Sequence, residues 1–223
     1  MTRGLLYQAI LKFVLGVVII GILIFLPAGT FDYWNAWLFM GILFIPMFFA
    51  GIVMMIKNPE LLKKRLNAKE EQAEQSLVIK LSGLMFLLGF VIAGLNFRFK
   101  WIMLSDWVSW VGAAIFLFSY LLYAEVLREN TYLSRTIEVQ NGQKVIDTGL
   151  YGIVRHPMYT VTIILFLSMP LVLGSIISFA IFLTYPVIIA KRIRNEEAVL
   201  EKDLDGYIEY KKKVKYKIIP FLW

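Results

Sequence analysis

Long apolar runs broken by short polar interruptions dominate the chain, and their lengths carry the first information. A helix that crosses roughly 30 Å of hydrocarbon needs about 20 mostly apolar residues. Four runs reach that length: residues 5–27, 34–56, 78 to about 97, and 102 or 104 to 127. The pattern predicts four membrane-spanning helices. The first run is too long for the apolar part of a cleavable signal peptide, and no small-x-small cleavage site follows it closely. Trp34, Trp37, Trp101 and Trp107 stand near the predicted ends, where indole rings favour the headgroup level.

A fifth apolar stretch, 158–190, is too long for one span and short for two. Met169-Pro170 and Gly174-Ser175 mark a break inside it. Two legs of about 15 residues would each rise ~22 Å, less than the hydrocarbon thickness. A tight helical hairpin that enters and leaves on one side is therefore expected, shallower than a full crossing. Segments 1–4, 57–80, 128–156 and 191–223 hold 20 of the 23 basic residues. The positive-inside rule then predicts that both termini and all the larger polar segments are cytosolic. Among those segments, Asn58-Pro59-Glu60 opens an amphipathic helix over 58–75, with Asn as cap and Pro in the first turn. Asn141-Gly142, flanked by 136–140 and 143–147, predicts a small β-hairpin. Charges at helical spacing over 191–213 predict a helix leaving the membrane. The expected fold is thus an all-α polytopic transmembrane bundle of four spans plus a C-terminal helical hairpin, with a small cytosolic β-hairpin and a C-terminal cytosolic helix. Residues 1–119 would form the N-terminal membrane helices, and residues 120–223 a C-terminal cofactor-binding and catalytic region.

Composition agrees with lipid as the solvent. Of the 223 residues, 59% are hydrophobic and 17% charged, and the mean hydropathy is +0.70. A soluble domain carries about 25% charged residues. The formal net charge of +7 is accordingly read as orientation and contact with anionic membrane lipid, not nucleic acid. Zero cysteines and one histidine exclude disulfides, thiolate nucleophiles, cysteine-based zinc sites and multi-histidine metal sites. No metal site is predicted. Chemistry falls to Arg, Lys, Asp, Glu, Tyr, one His and a bound cofactor.

Polar groups concentrate in 125–143, 149–159 and 192–197. The last two are the feet of the hairpin, so a site is expected where membrane meets water. Pro157 suits a first helical turn, which puts Arg155 and His156 beside a helix N-terminus, an anion site by its dipole and free N–H groups. Tyr159 leaves the same turn, and Gly149 and Gly152 allow a ligand close to the backbone. Arg192 and Glu196 lie four apart on one helix face, where they are either a surface ion pair or, with Glu197, a site for a cationic group. Glu125 and Arg128 close the fourth span; an ionisable residue at that depth is a functional candidate, although an arginine there also snorkels.

Several strings resemble a known family. They are Leu127-Arg128, Val139-Gln140, Gly149-x-Tyr151, Arg155-His156-Pro157-x-Tyr159, Arg192 with Glu196-Glu197, and Tyr207-x-x-Tyr210-x-x-x-Val214 leading to Pro220-Phe221. Their order and spacing over about residues 120–221 resemble the isoprenylcysteine carboxyl methyltransferase and phospholipid methyltransferase superfamily. The resemblance implies an integral membrane enzyme moving a methyl group from S-adenosylmethionine to a lipophilic acceptor. It implies a cofactor pocket lined by Gln140, Gly149, Tyr151, His156, Pro157, Tyr159, Glu196 and Glu197, with Arg155 beside them, and an acceptor carboxylate positioned by Arg128. Glu125 and Arg192 complete the candidate catalytic set. The chain departs from the prenyl-cysteine branch at Gln143, Val161 and Leu150, where that branch usually has His, Gly and Pro.

The chemistry of that cofactor suits these residues: carboxylates for its ammonium, a helix start for its carboxylate, aromatic faces for its sulfonium and adenine. The acceptor would be a lipid-like or lipidated molecule in the plasma membrane of a bacterium or the endoplasmic reticulum of a eukaryote. Two rival readings are an NADPH-dependent sterol-reductase-like enzyme and a non-catalytic transporter or assembly subunit. Sterol reductases tend to carry Asn-Tyr-x-Gly-Asp after their Arg-His pair; here the string is Met158-Tyr159-Thr160-Val161-Thr162.

Overall fold

The computed structural model describes residues 3–66, 73–133 and 139–223. Four long helices appear where the apolar runs predict them: α1 (Arg3–Ala28), α2 (Trp34–Lys57), α4 (Ala73–Phe99) and α5 (Asp106–Glu129). Between α2 and α4 lies a short α3 (Pro59–Leu66), whose start is capped as anticipated: Asn58 Oδ1 accepts a hydrogen bond from the Leu61 N–H at 3.1 Å. Residues 67–72 lie outside the described residues, and Ala73 already belongs to α4, so the amphipathic helix is followed only to Leu66.

The hairpin is present but deeper than expected. Its first leg is α6 (Pro157–Val172); its second is broken into α7 (Ile176–Phe182) and α8 (Tyr185–Asp203). The break at Gly174-Ser175 forms an isolated antiparallel bridge, Met103 with Ser175, to the loop joining α4 and α5. Leu104 N–H donates to Gly174 O at 2.9 Å. Tyr33, between α1 and α2, donates its hydroxyl to Leu173 O. Asn35 Nδ2 donates to Ser109 Oγ at 2.9 Å and to Val172 O at 3.3 Å. The tip therefore reaches the two loops at the end of the bundle away from the charged segments. Leg length alone underestimates this reach, because buried side chains of other helices meet the tip and satisfy its carbonyls.

Among the described residues, five stretches are long and apolar enough to cross a membrane: 4–28, 34–57, 76–99, 106–129 and, taken across its kink, 176–203. The molecule is an integral membrane protein built as a polytopic helical bundle. Its outer face is apolar, with Leu11, Val18, Ile22, Phe49, Phe118 and Leu121 among the large exposed side chains. Its inner contacts are made by small residues. On α5, Ser109, Gly112, Ala113, Phe116 and Ser119 are buried, and α6 lies along this face. A Cβ on Gly112 would stand 2.9 Å from Leu171 Cβ and 3.0 Å from Val172 N, so the two backbones cross at glycine distance. Gly94 does the same for α4 on α1, 2.5 Å from Ile24 O. Phe39, Phe90, Phe116 and Phe182 fill the centre in tilted and edge-on pairs.

No strand occurs among the described residues. The first arm of the predicted β-hairpin falls mostly on 134–138, outside them. The tight turn is there: Gly142 has φ +73°, and Gln143 N–H donates to Gln140 O at 2.9 Å. Residues 143–147, read as its second arm, run as irregular chain. Val145 packs into a cluster around Tyr207 and Ile146 into one around Tyr151. The predicted helix over 191–213 is two helices, α8 and then α9 (Tyr207–Lys213): α8 is capped by Leu204, whose backbone is extended, and Gly206, with φ +83°, turns the chain into α9.

A cleft at the charged end and the candidate site within it

Three pieces of chain converge at the charged end: the exit of α5, the turn that leads into α6, and the end of α8 with α9 and the tail. Between them is a cleft of about 100 Å³, whose lining includes Asn130, Gln143, Tyr151, His156, Tyr159, Glu196, Tyr207 and Tyr210.

Gly149 starts the turn that carries Tyr151 to the cleft. Its φ is +50°, and a Cβ there would fall 1.3 Å from Glu129 Oε1. Glycine lets the Glu129 carboxylate fold beneath the 3-10 turn Gly149–Gly152 and accept from Leu150 N–H at 3.0 Å. The turn holds Tyr151, whose hydroxyl accepts from Asn130 Nδ2 at 3.1 Å and whose carbonyl accepts from Tyr210 O–H at 2.7 Å. Burial pushes the Tyr151 phenol above its ordinary pKa, so it stays neutral.

The two adjacent glutamates of α8 face different partners. Glu197 is 4% exposed. Its Oε1 accepts from Arg155 Nε at 2.8 Å and lies 3.2 Å from His156 Nε2. Its Oε2 is 3.0 Å from Lys217 Nζ. Arg155 also donates through Nη1 to Val214 O and Lys215 O, both at 2.7 Å. The backbone N–H groups of Arg155 and His156 donate to Tyr216 O and Lys217 O, at 2.9 and 2.8 Å. Glu197 is thus the knot that ties both hairpin feet to the C-terminal tail. Glu196 lines the cleft instead. Tyr159 O–H donates to Glu196 Oε2 and accepts from Arg192 Nε at 2.9 Å. One phenol therefore bridges a carboxylate and a guanidinium. Pro157 starts α6 as read from the sequence.

Of the other candidates, Gln140 braces the turn: its Nε2 donates to Tyr132 O at 2.6 Å, and its N–H to Gln143 Oε1 at 2.9 Å, while Gln143 lines the cleft. Glu125 and Arg128 stand apart from the cleft lining. They hold each other in a two-pronged pair, Nε–Oε2 2.8 Å and Nη2–Oε1 2.6 Å, with the arginine side chain 72% exposed. Arg192 alone of the three catalytic candidates joins the cluster.

A family model described as the isoprenylcysteine carboxyl methyltransferase (ICMT) family matches residues 110–202. The fold is similar to that solved for the eukaryotic intramembrane Ras methyltransferase ICMT. The TM-score is 0.56 over 91% of this chain and 74% of that one, at 16% identity. The chain is thus similar to the ICMT family over residues 110–202 and is ICMT-like in its fold. The Delta(14)-sterol reductase of Mus musculus is also similar, 32% identical over 91 residues. Those residues are 40% of this chain and 22% of the reductase, so the chain spans about a fifth of that relative.

The ICMT-like segment runs from within α5 to the end of α8. It includes Glu129, Tyr159 and Glu196 and leaves out α9 and the tail. Several residues in or supporting the cleft lie beyond the sequence reading. Asn130, Glu129 and Lys217 carried no signal, since each acts through a partner distant in sequence. Tyr207 and Tyr210 were visible only as marks of resemblance, although their spacing of three puts both on one face of α9. The split between the glutamates did have a signal. The buried face of α8 runs Tyr185, Ile189, Ile193, Glu197, so Glu197 continues an inward stripe at intervals of four while Glu196 lies about 100° away.

Proposed function

We propose that this ICMT-like protein transfers a methyl group from S-adenosylmethionine to a lipophilic acceptor, with the cleft as the cofactor site and an acceptor carboxylate as the methylated group. Glu196 carries the reading: one carboxylate lines a cleft whose walls include Tyr151, Tyr159 and Tyr207. That donor set fits a ligand with an ammonium, a sulfonium and a flat adenine, because a carboxylate pairs with the first and aromatic faces attract the others. S-adenosylmethionine supplies a methyl carbon already activated by the sulfonium. The chain then has to align the two reactants and exclude water. Tyr159, itself held by Arg192, fixes the direction of the Glu196 carboxylate.

On the acceptor side, Arg128 closes α5 two residues before cleft-lining Asn130. The guanidinium fork that now holds Glu125 matches a lipid carboxylate equally well, so an acceptor replaces Glu125 as its partner. An acceptor ionised at neutral pH needs no general base, in keeping with a site whose phenols are neutral and whose histidine is tied to Glu197. The charge distribution supports a cytosolic cleft, four spans and a hairpin, and a bacterial plasma membrane or endoplasmic reticulum as the setting.

The similarity to a sterol reductase favours a second reading with NADPH as cofactor. That ligand brings several phosphates, whereas Arg155 is committed to Glu197 and tail carbonyls and the facing side chain is the acidic Glu196. Titration calorimetry of the purified protein decides between them. Heat with S-adenosylhomocysteine and none with NADPH is expected; the reverse would overturn the methyltransferase reading.

A further inference from the structure

Tyr207 is 3% exposed, yet its hydroxyl has no hydrogen-bond partner among the described residues. Leaving a buried hydroxyl unpaired costs free energy, so its persistence asks for a partner from outside the fold. The other cleft tyrosines are satisfied: Tyr210 by Tyr151 O, Tyr151 by Asn130, and Tyr159 by Glu196 and Arg192. Swinging away is not open to Tyr207. Its ring is packed with Leu204, Tyr210 and Val214, 5.7 Å from the Tyr210 ring centre, and it lines the cleft. Burial, with Glu197 and Glu196 adding to it, pushes the phenol above its ordinary pKa. At neutral pH it keeps its proton and can donate.

The helix start at Arg155 and His156 would be the natural anion site, but both backbone N–H groups there are taken by tail carbonyls. Tyr207 is a donor still to be used, and Glu196 is a carboxylate lining the same cleft. We infer that the Tyr207 hydroxyl binds the amino-acid end of the S-adenosyl ligand, donating to its carboxylate while Glu196 takes the ammonium on the same carbon. This rests on the S-adenosylmethionine reading above and adds the direction in which the ligand lies.

The test compares wild type and Tyr207→Phe, which keeps the ring and its packing, for binding of S-adenosylmethionine and of its decarboxylated analogue. The analogue retains the ammonium, the sulfonium and the nucleoside. A hydrogen bond to a charged group predicts a loss of about tenfold or more for S-adenosylmethionine, unchanged affinity for the analogue, and a ligand-free thermal midpoint equal to or above wild type. Equal affinities for S-adenosylmethionine would overturn the inference. So would an equal loss for both ligands, which would move the hydroxyl to the nucleoside, or a lowered ligand-free midpoint, which would make it structural. Failure of the wild type to bind either ligand would instead refute the cofactor reading, and this inference with it.

Discussion

Glu197→Gln separates a residue that holds the hairpin feet to the tail from one that lines the cleft. Glutamine keeps the volume and removes the charge. Arg155, its closest partner, has a side chain only 4% exposed, so the substitution leaves a buried guanidinium without its anion. Breaking a buried pair in this way costs about 3–5 kcal/mol. Two features place the loss near the lower figure. Lys217, 21% exposed, can turn to water, and Arg155 keeps its bonds to Val214 O and Lys215 O. For a chain of this size ~1 kcal/mol moves the midpoint by about 2–4 °C, so a loss near 3 kcal/mol predicts a fall of roughly 6–12 °C. The assay is thermal unfolding of detergent-purified protein by tryptophan fluorescence. Glu196→Gln serves as its counterpart: the midpoint should move by less than ~3 °C, while S-adenosylhomocysteine binding weakens about tenfold. A Glu197→Gln protein as stable as wild type but deficient in ligand binding would refute the division of labour between the two glutamates.

Arg128→Ala is expected to leave both the thermal midpoint and S-adenosylhomocysteine affinity at wild-type values, because the side chain is exposed and outside the cleft, while methyl transfer to a carboxylate-bearing lipid is lost. Radiolabelled methyl incorporation checks this; parallel loss of cofactor affinity would put Arg128 in the cofactor site. Gly149→Ala is expected to cost at least about 2 kcal/mol, since it combines left-handed strain with displacement of the Glu129 carboxylate and its bond to Leu150. A midpoint unchanged by that substitution would contradict the geometry of the turn.

The spans were legible because crossing hydrocarbon is a requirement on length and polarity that each run meets or fails by itself. α2 begins at Trp34 as read, and α6 begins at Pro157, whose fixed φ and missing N–H suit a first turn. The candidate site was legible as a set: Tyr151, His156, Tyr159 and Glu196 do line one cleft. Roles within the set were not. Arg155 and His156 looked like a helix-start anion site, and the tail, some 60 residues on, claims their donors. The turn signal at Asn141-Gly142 was valid, while the second arm runs as irregular chain, with Val145 and Ile146 packed into two separate clusters.

From residue order alone came the solvent, the helix starts, the charged end and the chemistry available there, all properties that local composition and spacing determine. Tertiary contacts alone decided how deep the hairpin reaches, which glutamate faces the cleft and which tyrosine is left with an unpaired hydroxyl. Each of those depends on partners brought together from distant parts of the chain: Ser175 with Met103, Glu197 with Lys217, Tyr210 with Tyr151. Such pairings follow from how helices rotate and cross when they pack, and a single buried side chain changes its role with a rotation of about 100°.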